Sequence, residues 1–237
     1  MLCETDVNEG GKVPPTLFDS GNSHIKQTDN QIGQTLSECG SLLDGSMLDE
    51  SGDNNDDFLK TLKDNRNLNP KNLVVGSLNI NSIRNKFSAM KYLLSNGYID
   101  ILALCETKLD ESFPLAQFQV ENYKYHRSDR TAYGGGLALY FRSDLPQRRR
   151  YDLEKISVAD SVCEVIIAEC IPYKKEKWIF VLMYKPPNVI DSVFNLFLSR
   201  VCENVLAETD NVVFLGDTNC DMLVGNNVLI ICVFRMI

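Results

Sequence analysis

Histidine is almost missing from this chain: among 237 residues there are two, His24 and His126. The eight cysteines (Cys3, Cys39, Cys105, Cys163, Cys170, Cys202, Cys220 and Cys232) form no C-x-x-C pair and no Cys/His cluster at metal-ligand spacing, which argues against zinc. Most of them sit among apolar neighbours, the pattern of reduced core thiols, so a reducing, intracellular compartment is expected. No apolar run, Val228 to Phe234 included, approaches the ~20 residues that cross a bilayer. The opening MLCETDVNEG is acidic and polar, unlike a secretory leader. There is no excess of positive charge either; the formal net charge is -8. That excess sits entirely in residues 1–70, and the remainder is balanced. A balanced domain can still hold nucleic acid if its basic groups share one face, so charge alone does not choose the partner.

Residues 1–70 are rich in Asp, Asn, Ser and Gly, with SGDNNDD at 51–57 as the extreme. Apolar residues there follow no sustained period. Such a segment buries too little surface to offset its chain entropy, and disorder is expected, with a short helix near Asp57–Leu62 as the exception. Order is expected from Asn72. LVVGSLNI (73–80) reads as a buried strand. Residues 82–95 read as an amphipathic helix with Ser82 as N-cap and Ile83, Phe87, Met90 and Leu94 on one face. IDILALCE (99–106) is a second buried strand, and this succession is an α/β signature. FQVENYKYHR (118–127) reads as a strand or extended loop. GGGLALYFR (134–142), 161–171, 178–184 and NVVFLG (211–216) read as strands, and 189–207 as a helix.

Several of these apolar runs end on a polar group. Asn79 and Asn81 follow LVVGSL, Glu106 follows ILALC, Tyr184 follows WIFVLM, and Asp217 and Asn219 follow VVFLG. One such ending is unremarkable, because strands must emerge into solvent somewhere. Four together predict strand ends converging on one polar site, where open sheets place ligands. Carboxylates with amide oxygens suit a hard cation such as Mg²⁺. Asn79 reads equally well as a cap for the following helix. Gly134–Gly136, with no lysine or helix start behind it, reads as a tight turn and not a phosphate loop. Arg148–Arg150 reads as a charged turn.

SLNINSIRNKF (77–87), ILALCETKLDESF (101–113), YHRSDR…GGGLALYFR (125–142), MYKPPN (183–188) and FLGDTNCD (214–221) stand in the order found in the endonuclease/exonuclease/phosphatase superfamily. Within it, the chain resembles the apurinic-type endonuclease domain of non-LTR (LINE-type) retrotransposon polyproteins. The resemblance implies a four-layered α/β sandwich, two packed mixed sheets flanked by helices, over residues 71–222. It implies Glu106 and Asn79 as metal-site residues for Mg²⁺ (or Mn²⁺). Tyr184 would contact the phosphate, Asp217 would orient or deprotonate the attacking water, and Asn219 would help hold the phosphoryl oxygens. The implied reaction is hydrolysis of DNA phosphodiester bonds, as in target nicking. Arg84, Lys86, Lys108, Arg127 and Arg130 are candidate contacts to DNA phosphates, against the alternative of a solvated face. The parent polyprotein would add a reverse transcriptase, which this sequence lacks, and would act in the nucleus.

The superfamily completes its site with a late Ser-Asp-His-type motif. After Asp221 the sequence reads MLVGNNVLIICVFRMI, unlike that motif. The family domain is therefore expected to be truncated, its second sheet incomplete, and residues 223–237 to form an apolar tail without a proper partner. Two further readings stay open: an inactive remnant that at most binds nucleic acid, and a phosphatase or phospholipid phosphodiesterase of the same superfamily.

Overall fold

The computed structural model describes residues 53–68, 70–158, 163–172, 176–219 and 230–234. The helices are α1 (Asp53–Leu68), α2 (Phe87–Ser95), α3 (Tyr151–Val158) and α4 (Asp191–Leu206). The strands are β1 (Leu73–Asn79), β2 (Ile101–Cys105), β3 (Tyr123–Ser128), β4 (Leu137–Arg142), β5 (Gln147–Arg149), β6 (Glu164–Cys170), β7 (Trp178–Tyr184), β8 (Val212–Asp217) and β9 (Ile230–Phe234). One sheet has the order β3-β4-β2-β1-β9 and the other β5-β6-β7-β8. β1 runs parallel to β2 and β7 parallel to β8, while β4 and β6 run antiparallel to their neighbours, so both sheets are mixed.

The layers follow from period-two alternation within the strands. In β1, Val74 and Leu78 face outward onto a core with Met90, Leu93 and Leu94 of α2 and Leu62 of α1. Leu73 and Val75 face inward, joining Ile101, Ala103, Phe141, Ile166, Phe180 and Leu182 between the sheets. Val165, Ile167, Ile179, Val181 and Met183 face the opposite way, onto Phe194, Phe197, Val201 and Val205 of α4. The expected four-layered α/β sandwich is thus present: helices, sheet, sheet, helices.

Four local expectations need correction. Order begins earlier than Asn72: the short helix expected near Asp57–Leu62 is present within a longer one, α1, spanning Asp53–Leu68. Leu62 is buried in the outer core, and the Arg66 guanidinium bonds Asn72 O, Tyr98 O and Asp100. Leu62, with Leu59 packed on the same core, supplies the apolar contact, and the Arg66 bonds fix where the helix ends. Next, α2 starts at Phe87 with Lys86 as N-cap, not at Ser82. The backbone of 82–83 is already committed: Ser82 N donates to Glu106 O and Ile83 N to Thr107 O. Third, Arg148 and Arg149 lie on the edge strand β5 and not in a turn. Finally, β9 of the supposed unpartnered tail pairs antiparallel with β1, from Leu73↔Phe234 to Ser77↔Ile230. The expected disorder of 1–52, and the tail residues 223–229, lie outside the described residues.

Arg149, at the end of β5, and Arg150, just after it, hold sheet to helix. Arg149 forks onto Glu154, and Arg150 reaches Asp152, Glu169 and Glu208. Hydrogen bonds from Arg150 hold both the Asp152 and Glu208 carboxyls down to about 2. Depressed acids stabilise the fold above their ordinary values of 3.8 and 4.5 and lose that contribution as pH falls toward 2. Arg150→Met is therefore expected to flatten the pH dependence of stability below about pH 4.5, read by urea unfolding at stepped pH.

Candidate active site between the sheet ends

β1, β2, β7 and β8 end at the same edge of the sandwich, and each delivers one inward-facing polar side chain there. Asn79 closes β1 and stands opposite Cys105 of β2, so Glu106 lies one residue past its neighbour strand. Tyr184 closes β7 opposite Asp217, which closes β8. Four sequence-predicted residues meet directly. Asn79 Nδ2 donates to Glu106 Oε1 at 3.1 Å and to Asp217 Oδ2 at 2.8 Å. The Tyr184 hydroxyl donates to Glu106 Oε1 at 3.0 Å. Asp217 Oδ1 accepts from Asn219 N at 2.9 Å, and Asn219 Nδ2 donates to Lys185 O at 2.7 Å. Asn79 therefore spends its amide group on two carboxylates, and its Oδ1 accepts from Asn81 N at 3.1 Å. The other oxygen of Glu106, Oε2, has the Lys108 ammonium at 3.7 Å.

Backbone strain gathers at the same place. Of six non-glycine residues with positive φ among the described residues, five belong to this edge: Asn81, Ser82, Glu106, Lys108 and Asn219. Such conformations cost on the order of 1–3 kcal/mol each and persist where the surroundings over-determine them. Here the 106–108 turn is bonded on both sides. Residues 82 and 83 donate to its carbonyls, while Thr107 N and Lys108 N donate to Gly136 O and Gly135 O. Gly136, at φ +88°, has no room for a side chain, which would collide with Thr107 Oγ1.

A carboxylate that the sequence did not single out completes the set. Glu164 opens β6 directly across from Tyr184. Its Oε2 accepts from Gly136 N at 2.7 Å, and its Oε1 takes Arg130 at 3.2 Å. Burial, reinforced by Glu106, raises its pKa against the pull of Gly136 and Arg130. Burial also pushes the Tyr184 phenol up, as do its bond to Glu106 and the charges of Glu106, Asp217 and Glu164. The buried Cys105 thiol is pushed up as well, so it is no nucleophile here. Three carboxylates converging on one cleft make a site that favours a cation. The useful signal was available: a charged residue bounding an apolar strand. It was missed because it stands at the start of β6, and only antiparallel pairing brings that start to the same edge.

The basic candidates separate into two groups. Arg130, 42% exposed, borders an open cleft of about 370 Å³ with Tyr133, Gly135, Tyr184, Pro187 and Asn188. Lys108 lies beside Glu106 and also bonds Asn81 Oδ1. By contrast, Arg127 is 6% exposed and engaged with Asp129 and Phe113 O. Lys86 donates to Ile80 O at 2.8 Å. Arg84 is exposed and lies over the Phe113 ring. His126 is far from this chemistry in role: it pairs with Gln147 across β3 and β5, and burial lowers its pKa.

Gly216 sets the approach to Asp217. At φ +124° a side chain there would collide with the Met183 carbonyl. Gly216→Ala is expected to lose roughly 1–3 kcal/mol in thermal melting and to displace the Asp217 carboxylate.

Two mixed sheets packed face to face, with carboxylates and amides gathered where their strands end, define a four-layered α/β sandwich with one polar cleft. The chain belongs to the Endonuclease/Exonuclease/phosphatase family, whose model matches residues 76–223. Similar solved structures include the endonuclease domain of TRAS1, a telomere-specific non-LTR retrotransposon, at 12% identity and TM-score 0.48, covering 63% of this chain and 60% of that one. The 3' phosphatase NExo from Neisseria, bound to product DNA hairpin, matches at 18% identity and TM-score 0.47, covering 64% and 60%. The Xenopus laevis APE2 catalytic domain matches at 18% identity and TM-score 0.46, covering 62% and 59%. The chain thus spans about 60% of the length of these neighbours. No curated protein matches it in sequence. Among the described residues, no helix is long and apolar enough to cross a membrane.

Proposed function

We propose that this chain is a Mg²⁺-dependent phosphodiesterase that cleaves DNA, as the nicking module of a non-LTR retroelement. The observation that carries this reading is the linked set Glu106–Asn79–Asp217, with Tyr184 on the same carboxylate. The retroelement part rests on the sequence blocks ETKLDESF and YHRSDR…GGGLALY.

Among the described residues no three His, Cys, Asp or Glu form a ligand cluster. The donors that are brought together, the carboxylates of Glu106 and Asp217 linked through Asn79, are oxygens of the kind that suit Mg²⁺, which keeps several waters and takes one or two carboxylates. Glu106 would hold the ion through Oε2, the oxygen not bonded by Asn79 or Tyr184. The metal, when bound, supplies charge stabilisation at the phosphoryl and leaving oxygens.

The chain's own groups have distinct tasks. Asn79 holds the Glu106 and Asp217 carboxylates in fixed orientation. Asp217, fixed on one oxygen by Asn79 and on the other by Asn219 N–H, can orient a water and accept its proton. The Tyr184 hydroxyl remains protonated at neutral pH; its single proton goes to Glu106 Oε1, and it would turn to a phosphate oxygen only by releasing that bond. Lys108 and Arg130, at the cleft, suit backbone phosphates.

Supercoiled plasmid with Mg²⁺ tests the reading. Nicking that requires Mg²⁺ and is lost in Glu106→Ala supports it. Hydrolysis of phosphoinositide or sphingomyelin vesicles in place of DNA would overturn the substrate assignment. A second reading, metal and DNA binding without turnover, is favoured by one observation: among the described residues no histidine lies at the site. Plasmid retention without nicking, by wild type and Glu106→Ala alike, would establish it.

A further inference from the structure

Along β6 the side chains of Ile166, Ala168 and Cys170 face the core between the sheets. Glu164 continues that row, where an apolar residue would pack at no electrostatic cost. Instead a carboxylate, 13% exposed, stands there within electrostatic reach of Glu106. A buried charge near like charges is costly unless its bonds return something. Its bonds go to two elements of the cleft, Gly136 N at 2.7 Å and Arg130 at 3.2 Å. Gly136 O in turn accepts from Thr107 N at 3.1 Å, and Gly135 O from Lys108 N at 2.9 Å. The chain of bonds therefore runs from Glu164 through the glycine turn to the strained 106–108 backbone.

We propose that Glu164 is a positioning residue: by clamping the Gly135–Gly136 turn it fixes the positive-φ backbone at residue 106 and so aims the Glu106 carboxylate. The metal-binding part of this role rests on the function proposed above. The backbone part does not, and the test separates them.

The full chain and its Glu164→Ala and Glu164→Gln variants are compared by amide hydrogen exchange and by calorimetric Mn²⁺ titration. In Glu164→Ala the Gly136, Thr107 and Lys108 amides should exchange at least about tenfold faster, with Leu182 in the core of β7 unchanged. The Mn²⁺ dissociation constant should rise about tenfold, the scale of losing an outer-shell partner. Glu164→Gln keeps an acceptor for Gly136 N–H and should restore both readouts to within about threefold of wild type. Unchanged exchange at the three amides, or an equal rise at Leu182, overturns the proposal. So does wild-type Mn²⁺ affinity in Glu164→Ala. If wild type itself takes up no Mn²⁺ while the three amides respond as stated, the metal reading falls and the clamp stands.

Discussion

Glu106→Ala is expected to lower Mg²⁺-dependent nicking by about 10²–10³-fold, the scale seen when a preorganised electrostatic contact to the transition state is removed. Glu106 is the group on which the site converges. Its Oε1 accepts from both Asn79 and Tyr184, and its Oε2 is the oxygen offered to a cation. Alanine removes the ligand and leaves two donors without their acceptor. The fold should not suffer in proportion. The substitution also relieves the crowding of three carboxylates, and alanine at positive φ costs no more than glutamate did. Melting temperature is therefore expected to stay level or rise slightly, as is common where active sites are strained. Loss of activity together with a large drop in melting temperature would show that Glu106 is structural.

Asp100→Ala should do the opposite. Asp100 lies just before β2, at the end of the sandwich away from Glu106, and its side chain is fully buried. It accepts from Val74 N at 2.7 Å and pairs with Arg66 of α1 and Arg142 of β4. One carboxylate thus ties a helix and three strands together. Breaking a buried pair from one side costs about 3–5 kcal/mol, because the remaining charges lose their compensation. Against a typical total of 5–15 kcal/mol that is a large share. The urea midpoint should fall accordingly, while the Mg²⁺ concentration that half-saturates nicking stays unchanged at temperatures where the variant is folded. Arg66→Ala should cost less, since it frees only α1.

The sequence alone reveals residues that sit at strand ends and little about what is brought beside them. Asn79, Glu106, Tyr184 and Asp217 each follow an apolar run, and parallel pairing of β1 with β2 and of β7 with β8 brings those runs out at one edge. Glu164 obeys the same rule in reverse, and reading it needs the antiparallel β6–β7 register. The helix expected from Ser82 failed because backbone donors at 82 and 83 find partners in the 106–108 turn, a contact between distant segments. The short helix expected near Asp57–Leu62 lies inside the longer α1; its further extent rests on Leu62 and the Arg66–Asp100 pair, and neither makes a periodic signal. The partner of β9 is a sheet edge, and no local pattern names an edge.

The central claim is that these strand ends form one divalent-cation site built on Glu106. Calorimetric titration of Mn²⁺ into wild type and Glu106→Gln tests it without depending on turnover. One site per chain, weakened at least tenfold in Glu106→Gln, is the predicted result. No binding by wild type, or equal affinity in the two proteins, would contradict it.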